Sequence, residues 1–200
     1  MILSLSNAQG LFWLGRYMVR NSYILSSLPF EDDDRARRFA RAFSISAWNA
    51  ESLTDQLLNP EREFSAPANL EHIQACVQQA RGRIPAHAFE CFNAMWRQRF
   101  DEQADMFELL KTAETSMAEC VPEVKLFWQL GTQIEVVETA LRLANNPMQM
   151  IELLTKMAMQ LPMPYWQPIV DQCEVLKQRP SFDAYYDLCD QLNDFFKDGP

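Results

Sequence analysis

Glycine is scarce in this chain, with five in 200 residues, and histidine is scarcer still, with two. No Gly-rich phosphate loop, no Gly-x-Ser-x-Gly elbow and no His-Glu-x-x-His pair is present. That removes the usual signatures of nucleotide hydrolysis, serine hydrolysis and zinc proteolysis. Positive charge is also short. Lys and Arg number 18 against 27 Asp and Glu, for a formal net charge of -9. A surface of that sign repels phosphates, so nucleic acid is not an expected partner. Long Val/Ile/Thr alternation is missing, which argues against a sheet. The first apolar stretch is interrupted by Gly10, Gly15, Arg16 and Arg20 and follows the unbasic start Met-Ile-Leu-Ser-Leu-Ser-Asn. It reads as neither a signal peptide nor a membrane span. Five cysteines, an odd number without framework spacing, fit reduced thiols in a cytoplasmic protein.

What is abundant is Ala, Leu, Met, Gln, Glu and Arg, the strong helix formers, in a chain that is 48% hydrophobic. The expectation is an all-α protein, an antiparallel helical bundle of six to eight helices with a degenerate internal repeat. It is read as one domain over residues 1–200, with repeat halves 1–121 and 122–200. The repeat is visible directly. Leu11-Phe-Trp-Leu-Gly-Arg-Tyr-Met is echoed by Leu126-Phe-Trp-Gln-Leu-Gly-Thr-Gln. Aligning Leu14-Gly15 with Leu130-Gly131 sets Val19 opposite Glu135 and Ser22 opposite Glu138. Two copies of one helix are expected to lie side by side.

Along the chain, Leu11, Leu14, Met18, Asn21, Leu25 and Leu28 form one stripe at spacings of three and four, predicting a helix over about Ser6 to Ser27 that Pro29 ends. A second helix is predicted from Asp33 as far as Leu58, burying Phe39, Ala42, Phe43, Ile45, Ala47 and Trp48. Glu31 to Asp34 supply its acidic start. A loop is placed between Asn59 and Ala68, with Asn69 capping the next helix. A long helix from Ala86 towards Cys120, continuous or broken near Asp101, buries Phe89, Phe92, Met95, Trp96, Phe100, Phe107 and Leu110. Pro122 opens the repeat-bearing helix, from Glu123 to Ala144, which Asn145-Asn146-Pro147 terminates. Helices over Met148 to Gln160, Ile169 to Gln178 and Phe182 to Phe196 follow, the last capped by Ser181. Leu161-Pro-Met-Pro-Tyr-Trp-Gln-Pro168 forms a proline-rich turn.

Leu3-Ser4 through Leu14-Gly15-Arg16-Tyr17 and Arg20 resembles the opening of the alpha-E domain, a bacterial helical family with a Leu-Gly-Arg-Tyr-x-Glu-Arg motif. Leu130-Gly131, Glu135, Glu138 and Thr139-Ala140-Leu141-Arg142 are similar to that family's second such helix. Val19 and Ser22 depart from the motif's acids in the first copy, and Thr132 and Val136 from its arginines in the second. The resemblance implies association with ATP-grasp ligases and transglutaminase-like proteins, hence with amide or peptide bond formation. It carries over no catalytic residue and no cofactor.

Three constellations are candidates for function. Arg16 and Arg20 share one helical face with Tyr23 nearby, and Glu135 and Glu138 lie in the second copy. These residues either pair across a helix interface, hold an anionic ligand or sit on solvated faces with Glu138 meeting Arg142. His72-x-x-x-Cys76 and His87-x-x-x-Cys91 put two imidazoles and two thiols at a spacing that a tetrahedral metal accepts, although cysteines there equally suit a core. Tyr165 and Trp166, flanked by prolines, suit contact with a partner.

The function expected is a non-catalytic helical accessory or scaffold protein that binds an ATP-grasp-type ligase or a transglutaminase-like protein, with a homodimer as one form. The alternatives are an enzyme acting on an acidic peptide-like substrate through its arginine face, and a small His/Cys metal-binding bundle.

Overall fold

Helix-forming composition and 3.6-residue periodicity are realised throughout. The computed structural model describes residues 3–98, 103–162 and 164–198, and among them finds ten α-helices and no strand. They are α1 (Leu5–Ser27), α2 (Asp33–Ala42), α3 (Ala50–Leu58), α4 (Ala66–Gln79) and α5 (Ala86–Gln98). After these come α6 (Gln103–Met117), α7 (Pro122–Arg142), α8 (Met148–Ala158), α9 (Gln167–Gln178) and α10 (Phe182–Asp198). No described helix is long and apolar enough to cross a membrane.

The number exceeds the expected six to eight partly because the predicted second helix is two. It stops after Ala42, where Ser44 takes a left-handed backbone with φ 56°. It restarts at Asn49, whose side chain accepts from the Ser52 amide while the Ser52 hydroxyl accepts from the Asn49 amide. This reciprocal cap satisfies two orphan donors and favours a fresh helix start over a continuous one. Trp48 sits in that break and is 73% exposed, so the expectation that it is buried is wrong. The start of α4 also differs. Ser65, not Asn69, caps it by accepting from the Ala68 amide, and Pro67 lies within its first turn, where a missing N–H costs nothing. The expected break near Asp101, and Phe100 with it, lie outside the described residues.

The helices divide into two compact units, one of residues 1–16 with 122–200, the other of residues 17–121. In the first unit α7 packs on α8, α8 on α9 and α9 on α10. The buried stripe of α10 is Tyr185, Leu188, Leu192 and Phe196, spaced by three or four as a single core face requires. In the second unit α2 to α6 each pack on the next. Met106, Leu110, Ala113 and Met117 of α6 are buried at the same spacing. Tyr23, Phe30, Phe39, Phe43 and Phe64 make a continuous aromatic cluster in this unit, with ring centroids 4.7 to 5.7 Å apart.

The two repeat copies meet within the first unit. A methyl group added at Gly15 would overlap the Trp128 carbonyl oxygen and come within 2.8 Å of the Thr132 amide nitrogen. One added at Gly131 would overlap the Phe12 carbonyl oxygen. Phe12 and Trp128 occupy equivalent positions in the repeat, so each copy's glycine admits the other copy's backbone at the same place. Glycine in a helix interior costs about 1 kcal/mol relative to alanine. Here that cost accompanies a backbone approach that any larger residue blocks.

Candidate functional site

The close approach of α1 to α7 sets one buried charge cluster. One turn of helix links Glu135 to Glu138 on α7. Both carboxylates face Arg16, the residue that follows Gly15. Arg16 Nε donates to Glu135 Oε2 at 3.0 Å, and Arg16 Nη2 donates to Glu138 Oε2 at 2.7 Å. Arg16 Nη2 also donates to the Tyr185 hydroxyl at 3.1 Å, and that hydroxyl donates onward to Glu138 Oε2 at 2.8 Å. On the far side of Glu138, Arg142 Nε and Nη2 both reach Oε1, at 2.8 and 2.7 Å. The Arg16 guanidinium lies 5.0 Å from the centre of the Trp13 ring. Two arginines and two glutamates cancel in charge. The Arg16, Glu135 and Glu138 side chains are 9%, 3% and 9% exposed, so this is an interior network rather than a surface pair.

Burial and pairing oppose each other at every titratable member. Burial works against the Arg16 charge, but the negative charge of Glu135 and Glu138 beside it outweighs burial and holds the guanidinium above its ordinary range. Burial likewise raises Glu138, yet the Arg16 charge, the Tyr185 hydroxyl and Arg142 together carry it below its ordinary value. Tyr185 is raised well above its ordinary value, chiefly by burial. Burial also raises the neighbouring Cys189 thiol, against the pull of Arg16 and Tyr185. The phenol and the thiol therefore both keep their protons near neutral pH, and neither is an activated nucleophile.

The remaining members of the expected arginine face lie in the second unit. There the Arg20 guanidinium lies 5.7 Å from the Tyr17 ring and 5.6 Å from the Phe64 ring, and Tyr23 stacks on Phe39 at 5.6 Å. Arg16 thus draws Glu135 and Glu138 to itself, while Arg20 and Tyr23 have aromatic surroundings. Tyr185 and its role as a bridge were missed from sequence. Its place in the 185-188-192-196 stripe signals burial, but nothing in the spacing says which carboxylate its hydroxyl meets.

The His/Cys candidates do not converge. Among the described residues no three of His, Cys, Asp and Glu are placed to hold a metal. The ring of the exposed His72 stacks on Tyr17 at 4.6 Å, while Cys76 points into the core with its thiol pushed up to about 12 by burial. His87 is exposed beside Glu90 at 3.7 Å, and Cys91 is buried. A shared helix face is not enough when the cysteine is turned inward and the histidine outward.

Tyr165 and Trp166 separate in the same way. Tyr165 is 59% exposed, whereas Trp166 is 4% exposed. The Trp166 ring lies 3.9 Å from Phe195 and 5.4 Å from Phe127, so it anchors the proline-rich turn and is not an exposed contact residue. Both residues line a cavity of about 490 Å³ in the first unit. Three buried side chains have polar atoms without a hydrogen-bond partner among the described residues, at the Asn21 amide, the Asn69 Oδ1 and the Trp128 Nε1. Comparison of the chain with protein-family models, with curated proteins and with solved structures found no match.

Proposed function

We propose that this protein is a non-catalytic accessory or scaffold protein, an antiparallel helical bundle resembling the alpha-E family. It acts in the cytoplasm by binding an ATP-grasp-type amide ligase or a transglutaminase-like protein. The observation that carries the non-catalytic reading is the closed network around Arg16. Arg16 is engaged by Glu135, Glu138 and Tyr185, Glu138 is also held by Arg142, and the four charges cancel. The phenol and the thiol beside it hold their protons. Such a site holds helices in register and offers a substrate neither a free charge nor a nucleophile. Action on an acidic peptide through Arg16 would first require breaking two buried ion pairs.

The named partner follows from the family resemblance, and a direct test exists. The tagged full-length chain is purified from its native cells under mild conditions and the co-purifying proteins are identified. Reproducible enrichment of an ATP-grasp ligase or a transglutaminase-like protein is the expected result. Recovery only of proteins unrelated to amide bond formation overturns it.

A further inference from the structure

The cavity of the first unit is not part of the Arg16 network, and its walls have a chemistry of their own. Among the described residues four aromatics line it, Phe127, Tyr165, Trp166 and Phe195, together with a single charged group, the carboxylate of Glu123. Among the described residues no lysine, arginine or histidine contributes to the lining. We propose that this cavity is a binding site for an amphiphilic organic cation, whose ammonium head sits among the aromatic rings near Glu123 and whose apolar tail lies along Leu3, Leu5 and Leu126.

Several physical arguments converge on that ligand. Aromatic faces carry the negative end of the ring quadrupole and attract cations, most strongly tetraalkylammonium groups that shed water readily. Glu123 adds a full negative charge. It sits in the first turn of α7, whose positive dipole end offsets only about half of that charge. The chain's net charge of -9 extends the same preference outward. An anionic ligand would meet Glu123 with no counter-charge among the described lining residues. At about 490 Å³ the cavity lies in the range of small-molecule sites, and it is larger than a bare trimethylammonium head requires. The aliphatic walls supply the place for a tail, and the Gln160 amide and the Tyr165 hydroxyl remain for a polar substituent.

The test is isothermal titration calorimetry of the full chain with hexyltrimethylammonium, octanoate and hexanol. The cation is expected to bind saturably at one site, about tenfold or more tighter than octanoate. Glu123 and Tyr165 are exposed, so their substitution leaves the fold intact. Glu123→Gln is expected to weaken the cation about three- to tenfold while leaving hexanol unchanged, and Tyr165→Ala to weaken it by a similar factor. No saturable heat with the cation up to about 10 mM, well beyond the affinities typical of specific sites, overturns the assignment. So does octanoate binding as tightly as the cation, or an unchanged cation affinity in Glu123→Gln.

Discussion

Replacing Arg16 with methionine keeps much of the side chain's apolar volume and removes its charge. The loss is then electrostatic rather than a cavity. Glu135 and Glu138 are left in an interior site without their shared counter-ion, and the Tyr185 hydroxyl loses the donor at 3.1 Å. Breaking one partner out of a buried ion pair costs about 3–5 kcal/mol, because the remaining charge stays desolvated. Arg142 still holds Glu138 through Oε1, which keeps the cost near the lower end. For a unit of roughly 100 residues, 1 kcal/mol moves the melting temperature by about 4–5 °C, so the variant should melt some 12–20 °C lower. The assay is thermal denaturation followed by far-ultraviolet circular dichroism, on the native chain, Arg16→Met, Glu135→Leu and the double variant. The double variant should recover part of the loss, since it removes one of the two carboxylates that lost Arg16, and a coupling of about 1–3 kcal/mol should appear in the cycle. A melting temperature within about 1 °C of the native chain for Arg16→Met, with no coupling, would refute the view that this network is an interior tie.

Two further outcomes follow from the same geometry. Gly131→Ala and Gly15→Ala should each destabilise the protein by about 1–3 kcal/mol despite alanine's better helix propensity, because the new methyl group meets a carbonyl of the facing helix; Gly82→Ala, where nothing lies within 4 Å, should be near neutral, and chemical denaturation of the three variants distinguishes them. Glu138 has its folded-state pKa depressed below its ordinary 4.5, so the stability it contributes is present above that value and is lost as pH falls through the lower, folded one. Melting temperatures measured from pH 7 down to pH 3 should therefore fall more steeply for the native chain than for Glu138→Gln, and parallel curves would remove Glu138 from the account.

The helical class, the limits of α1, α7, α9 and α10 to within two residues, and the pairing of the two repeat copies were legible in the sequence. Each rests on a local or short-period cause. Helix propensity, three-four spacing, Pro29 and Pro122 at the helix ends and a glycine repeated at one position act within a few residues or recur in register. The break after Ala42 was not legible, since Phe39, Phe43 and Trp48 continue a helical pattern and only the Asn49–Ser52 cap tips the balance. Among the site residues, the spacing of Glu135 and Glu138 placed both on one face, and the repeat placed that face near Arg16. It was tertiary packing that brought Tyr185, 47 residues beyond Glu138, to bridge Arg16 and Glu138. Packing also set Arg20 beside the Tyr17 and Phe64 rings, turned Trp166 inward and Tyr165 outward, and kept His72 and Cys76 on different sides of their helix's burial boundary. Sequence periodicity says which face of a helix is apolar. Which polar groups then share the interior depends on the few ångströms of approach between helices far apart in the chain, and at Gly15 and Gly131 that approach is set by backbone meeting backbone.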